Sequence, residues 1–142
     1  MTRLEHLIRA KTQYALHSPF LFEMYREVLF APLDNTTRKQ QRLRRREPYE
    51  ALVYKCCHYY GLQAVGPLPS ASALRTVRLC TPPEVCDPLT IVVVSRPHCS
   101  HKAEQEWNAL QLLTDYPVSL DLYHVALLVR SPRLYPQHLL LR

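Results

Sequence analysis

Leu89-Thr90-Ile91-Val92-Val93-Val94-Ser95 is the one continuous β-branched run in the chain, and Pro88 and Pro97 bound it. A short, unbroken Val/Ile segment of this kind reads as a strand buried on both faces. Such strands belong to parallel sheets covered by helices, and in those sheets ligands bind just beyond the strand's C-terminal end. Ser95, Arg96 and His98 occupy that end and are the first candidates for chemistry.

Before this strand, Arg75 to Leu79 alternates as another strand, Ser70 to Leu74 starts a small helix, and Thr81-Pro82-Pro83 is a turn. Gln63-Ala64-Val65 is a further short strand, ended by Gly66-Pro67-Leu68-Pro69. After it, Ser100 caps a helix running to Leu113, with Ala103, Trp107, Leu110 and Leu113 on one face. Val118, Leu120 and Leu122 then alternate with Ser119, Asp121 and Tyr123, Val125 to Val129 is a second apolar run, and His138 to Leu141 forms one closing strand. These last pieces predict an antiparallel element added to a parallel sheet.

The N-terminal part reads as helical. Leu4, Leu7, Ile8, Tyr14 and Ala15 give a helix over 2–15, which His17-Ser18-Pro19 breaks. Ser18 and Pro19 are an N-cap and N1 pair for a second helix with Phe20, Leu21, Met24, Val28 and Leu29 as its buried stripe. Glu47 to Tyr60 is a third helix with Gly61 at its C′ position. The domain reading is an N-terminal helical region, 1–46, and an α/β domain, 47–142, in one compact unit.

Composition narrows the functional classes. The chain has 142 residues, 47% hydrophobic, a formal charge of +6 and a pI of about 9.2, enough apolar material for a core and enough positive charge to attract phosphates or acidic partners. Two glycines stand against twelve prolines, a poor composition for loops whose backbone must approach a phosphate or nucleotide closely. Five irregularly spaced cysteines do not make a disulfide framework, and no apolar run approaches the roughly 20 residues of a membrane helix. A reduced, cytoplasmic protein without a signal peptide is expected.

Most candidate constellations are weak. Arg38 to Arg46, with Arg42, Arg44, Arg45 and Arg46 as a nucleic-acid patch, has no interleaved aromatic residues and reads first as a solvated helix. Cys80, Cys86, His98, Cys99 and His101 lack the paired spacing of zinc ligands, so no metal is expected. Cys56, Cys57 and Cys99 read as small hydrophobes before nucleophiles, and His17 as a hydrogen-bonding residue beside the proline break. Glu104 and Glu106 fall on different helix faces, and Asp87 and Asp121 stand alone.

Two stretches go beyond general physics. Ala10-Lys11-Thr12-Gln13-Tyr14-Ala15-Leu16-His17-Ser18-Pro19-Phe20 resembles the N-terminal Lys-x-x-x-x-x-His-Ser-Pro-Phe signature of a group of bacterial class I S-adenosylmethionine-dependent methyltransferases. Trp107, then Val118-Ser119-Leu120-Asp121-Leu122-Tyr123-His124-Val125-Ala126, and finally Gln137-His138-Leu139-Leu140-Leu141-Arg142 are similar to the end of the same group. The two matches cover roughly half of the chain.

The resemblance implies a reduced Rossmann-like sheet with N-terminal helices and a C-terminal antiparallel hairpin. Since a βαβ unit takes about 30 residues or more, one or two of the family's middle units are missing. It also implies where S-adenosylmethionine would sit, with Tyr14, His17 and Gly66 around the cofactor and His98 as general base if the site is active. The family's Glu/Asp-x-Gly-x-Gly loop is replaced by Gln63-Ala64-Val65-Gly66-Pro67, and its Asp-Asp-x-His by Ser95-Arg96-Pro97-His98. The leading expectation is therefore a methyltransferase-like protein without cofactor binding, a non-catalytic binding or scaffolding domain that pairs with a second copy or an active relative. The alternatives are an active methyltransferase with an atypical pocket and a basic nucleic-acid-binding module.

Overall fold

Ile91 and Val93 point into one apolar core and Val92 and Val94 into another, so β3 (Thr90–Ser95) is covered on both faces along its whole length. Full burial of each such side chain is worth roughly 1.5–3 kcal/mol, which makes this strand the main anchor of the fold. The structure is a computed structural model that describes residues 1–11, 16, 18–30 and 48–142. Arg38 to Arg46, including Arg42, Arg44, Arg45 and Arg46, lie outside the described residues, as do Tyr14 and His17.

The other strands are β1 (Gln63–Gly66), β2 (Thr76–Cys80), β4 (Val118–Asp121), β5 (Val125–Arg130) and β6 (Gln137–Leu140). They form one six-stranded mixed sheet in the order β1-β2-β3-β5-β4-β6. The expected parallel neighbours of β3 are corrected: Val92 pairs with Arg78 of β2 and Leu128 of β5, both antiparallel. The direction of β5 follows from its short antiparallel hairpin with β4, and that of β2 from chain length. Residues 81–89 link β2 to β3, fewer than the roughly a dozen that a parallel crossover requires. The expected antiparallel hairpin is present as β4–β5, and β6 closes the sheet as a parallel partner of β4.

Four helices accompany the sheet among the described residues: α1 (Arg3–Arg9), α2 (Pro19–Met24, continued by a π turn over Tyr25–Leu29), α3 (Pro48–Tyr60) and α4 (His101–Leu110). Ser18 caps α2 and Ser100 caps α4 through their side chains, as their positions before Pro19 and His101 predict. Gly61, at φ +65°, ends α3 while the Leu62 N–H donates to the Cys57 carbonyl at 3.2 Å, the Schellman pattern. Leu21, Met24, Leu52 and Cys56 from α2 and α3 cover one face of the sheet; Ala103, Trp107 and Leu110 from α4 cover the other. No helix among the described residues is long and apolar enough to cross a membrane.

Three further expectations change. The first helix stops at Arg9, because Ala10 turns extended (φ −69°, ψ 146°) and the Lys11 backbone pairs with the chain's end, receiving from Arg142 N–H at 3.1 Å and donating to Leu140 O at 2.7 Å. Ser70 to Leu74 is not helical; Glu106 accepts from the Ala73 and Leu74 N–H groups at 2.9 and 3.3 Å and stabilises an open turn. In β4 the polar residues do not face water: Ser119 and Asp121 are as buried as Val118 and Leu120, because β4 has a strand on either side and is covered on both faces.

Candidate functional site

α1 is turned the wrong way for its composition. Leu4 and Ile8 are 67% and 73% exposed, whereas His6 is 2% exposed. A helix of this sequence would ordinarily bury its leucines and isoleucine, so partners elsewhere in the chain hold His6 inward. One is the Leu141 carbonyl, which accepts from His6 Nε2 at 3.0 Å. Because that carbonyl can only accept, Nε2 carries the hydrogen and Nδ1 faces Asp121, 3.8 Å from Oδ1. His6 Nδ1 is buried without a hydrogen-bond partner.

Asp121, at the end of β4, is the hub of the cluster. Its Oδ2 accepts from His98 Nε2 at 2.6 Å and from Trp107 Nε1 at 3.2 Å. Its Oδ1 accepts from the Tyr123 N–H at 2.8 Å, a local Asx-type bond that helps hold Tyr123 at φ +74° in the β4–β5 turn. His98 Nδ1 donates to Glu104 Oε2 at 2.7 Å, so the ring lies between two carboxylates. Glu104 in turn receives the N-terminal ammonium of Met1 at 2.7 and 2.5 Å. The Tyr123 ring stacks on His98 (5.2 Å between centroids, 17° between planes) and meets His6 edge-on at 5.5 Å.

Burial disfavours the charged His98 ring, but hydrogen bonds to Asp121 and Glu104 and the charges behind them outweigh it, and the pKa moves up from 6.5. The N-terminal ammonium, with His98 adding to it against a push from burial, holds the Glu104 carboxyl below its usual range. The result is a nearly neutral set of alternating charges. A histidine with both nitrogens donating to carboxylates holds a proton; it offers no lone pair for removing one from a substrate.

Among the described residues, two cavities flank the cluster. A polar one of about 490 Å³ is lined by His98, Glu104 and Asp121 together with Arg9 and His138. The second, of about 330 Å³, is lined mainly by apolar side chains such as Leu29, Leu52 and Leu141, with Arg3, Lys55 and Arg142 also on its wall. Arg3 contacts the His124 ring there.

The sequence pointed to His98, and the structure sets it at the centre of the cluster. Ser95 is buried at the end of β3 with its N–H bonded to Arg75 O at 2.9 Å, and Arg96, at φ +47°, donates its N–H to His124 O at 3.0 Å. Gly66 is elsewhere, at φ +135° beside a register shift in edge strand β1, and it lines neither cavity. Cys80, Cys86, Cys99 and His101 are not drawn together around His98; the metal-capable side chains that converge among the described residues are His6, His98 and Asp121. Cys56 is fully buried, and burial pushes its thiol up to about 12, as an inert core residue requires.

Sequence reasoning missed His6, Glu104, Trp107, Asp121 and Tyr123. Asp121 looked isolated only along the chain, since its partners lie at positions 6, 98 and 107. Comparison with protein-family models, with curated proteins and with solved structures finds no match.

Proposed function

We propose that the chain is a methyltransferase-like domain that does not bind S-adenosylmethionine and serves as a non-catalytic binding or scaffolding domain. The observation that carries this reading is the occupied end of β3. There the Arg96 backbone is bonded to His124, and His98 is stacked on Tyr123 with both ring nitrogens held by carboxylates. A cofactor crevice in an open α/β sheet forms outside the carboxyl ends of parallel strands where their order reverses. Beside the end of β3, β2 and β5 instead present their N-terminal ends, Thr76 opposite Val94 and Val125 opposite Ser95. The portion from β3 through α4 to the β4–β5 hairpin accords with the resemblance; the antiparallel β1–β2 side, with Gly66 at its edge, departs from it.

Calorimetric titration of the folded, monodisperse protein with S-adenosylmethionine and S-adenosylhomocysteine tests this. The expected result is no saturable heat. Saturable binding in the micromolar range would overturn the reading in favour of an active methyltransferase, with His98→Ala as the next variant.

A further inference from the structure

We propose that His6 Nδ1, His98 Nε2 and the Asp121 carboxylate form a binding site for a divalent transition-metal ion of the zinc type. Their candidate ligand atoms all lie within 4.8 Å of one another, although they come from α1, from the loop after β3 and from the end of β4. This goes beyond the loss of cofactor binding and does not depend on it.

Ring orientation is the first support. A histidine that ligates a metal nearly always donates its other N–H to a carboxylate or backbone carbonyl, which fixes the tautomer and aims the free nitrogen. Both rings do this: His98 Nδ1 donates to Glu104 and His6 Nε2 to the Leu141 carbonyl. The other two nitrogens both face Asp121: His6 Nδ1 is unbonded, and His98 Nε2 becomes a ligand once the proton it donates to Asp121 leaves. Asp121 is itself oriented by Trp107 Nε1 and the Tyr123 N–H.

The second support is independent of these bonds. His6 Nδ1 is buried, aimed at Asp121 Oδ1 and without a hydrogen-bond partner, 3.8 Å being too long for one. Buried polar atoms are rarely left in this state. The helix that carries it also exposes Leu4 and Ile8 to keep His6 inside. A cation bound by Nδ1 accounts for both facts.

Donor chemistry sets the class of ion. Two imidazole nitrogens and one carboxylate suit Zn²⁺, Fe²⁺ or Co²⁺, whereas Mg²⁺ and Ca²⁺ take oxygen ligands. Three protein ligands leave one position of a tetrahedral ion for water. With bonds of about 2.0 Å, ligands of a tetrahedral ion stand roughly 3.3 Å apart. The 2.6 Å His98–Asp121 contact therefore opens by less than about 1 Å while the proton it holds leaves to solvent. The ion ties α1 to the end of β4. No two ligands are close in sequence, so spacing rules do not find the site.

The test uses the full chain after chelator treatment, titrated with Zn²⁺ by calorimetry and with Co²⁺ by visible absorption. One ion per chain is expected, with a rise in melting temperature and cobalt bands of a nitrogen–oxygen site lacking a sulfur charge-transfer band. His6→Ala should weaken Zn²⁺ binding by at least about 100-fold, the upper end of what loss of an outer-shell partner costs. A variant with Cys80, Cys86 and Cys99 all changed to Ser should bind as the parent does. The proposal is overturned by a folded protein that binds no ion at millimolar metal, by unchanged affinity in His6→Ala, or by loss of binding in the cysteine variant. Should His6→Ala not fold, the cobalt spectrum of the parent decides, since a sulfur charge-transfer band contradicts the assignment and its absence at full occupancy supports it.

Discussion

Asp121→Asn removes one charge and no volume, so its effect isolates the electrostatics of the buried cluster. The side chains of Asp121 and His98 are 4% and 3% exposed, which leaves little solvent to screen their interaction. Unit charges about 4 Å apart at an effective dielectric of about 20 attract by about 4 kcal/mol, part of which offsets desolvation. Removing one partner of a buried pair costs about 3–5 kcal/mol. Glu104 still holds the other nitrogen of His98 after the change, which places the loss near the lower end of that range. Asparagine has a single acceptor oxygen, so either the Tyr123 N–H or the His98 and Trp107 donors meet an NH₂ group. The expected destabilisation is about 3 kcal/mol, a fall in melting temperature of about 10 °C for a chain of this size. Urea unfolding of chelator-treated protein measures it, with an unchanged m-value as the check that only stability has moved. A second cycle with His98→Gln should give a coupling above about 1 kcal/mol between the two positions. A loss below about 1 kcal/mol, or additive single variants, refutes the paired-charge account.

Two further outcomes are expected from the framework around the site. Gly61→Ala forces a Cβ into the left-handed region at φ +65° and should cost about 1 kcal/mol in urea unfolding; an unchanged midpoint would show that α3 does not end in this conformation in solution. Burial raises the Cys56 thiol from 9.0 to about 12, so at pH 8 only about one molecule in ten thousand carries its thiolate, a fraction that grows with pH. Native-state alkylation at pH 8 followed by mass spectrometry should label exposed Cys86 and Cys99 and spare Cys56, and modification of Cys56 at a comparable rate contradicts the burial described.

Local chemistry was readable and long-range direction was not. The Val/Ile run between two prolines, the Ser18-Pro19 start of α2, the Ser100 cap of α4 and the Gly61 end of α3 all act within a few residues, and each stands where the sequence puts it. The direction of β3's neighbours was misjudged because an apolar run marks burial on both faces, and antiparallel strands inside a covered sheet share that property. Connection length held the missing signal, since residues 81–89 cannot carry a crossover. The cluster was legible only at His98. His6 is not among the residues that mark the first helix in the sequence, and its inward turn depends on Asp121 and Leu141, far along the chain. Asp121 sat at a polar place in an alternating pattern that suggests water on one side, whereas β4 is covered on both faces. Alternation alone does not say how many layers will pack on a strand.

The most direct measurement is a titration of S-adenosylhomocysteine into isotope-labelled protein, with the amide signals of Arg96, Cys99 and Tyr123 followed by nuclear magnetic resonance. These amides ring the end of β3, the side of an open α/β sheet on which ligands ordinarily bind. The account predicts that they stay in place up to millimolar ligand while the rest of the spectrum shows a folded chain. Saturable shifts confined to these residues would contradict it, because they would mean that the end of β3 opens to admit the ligand.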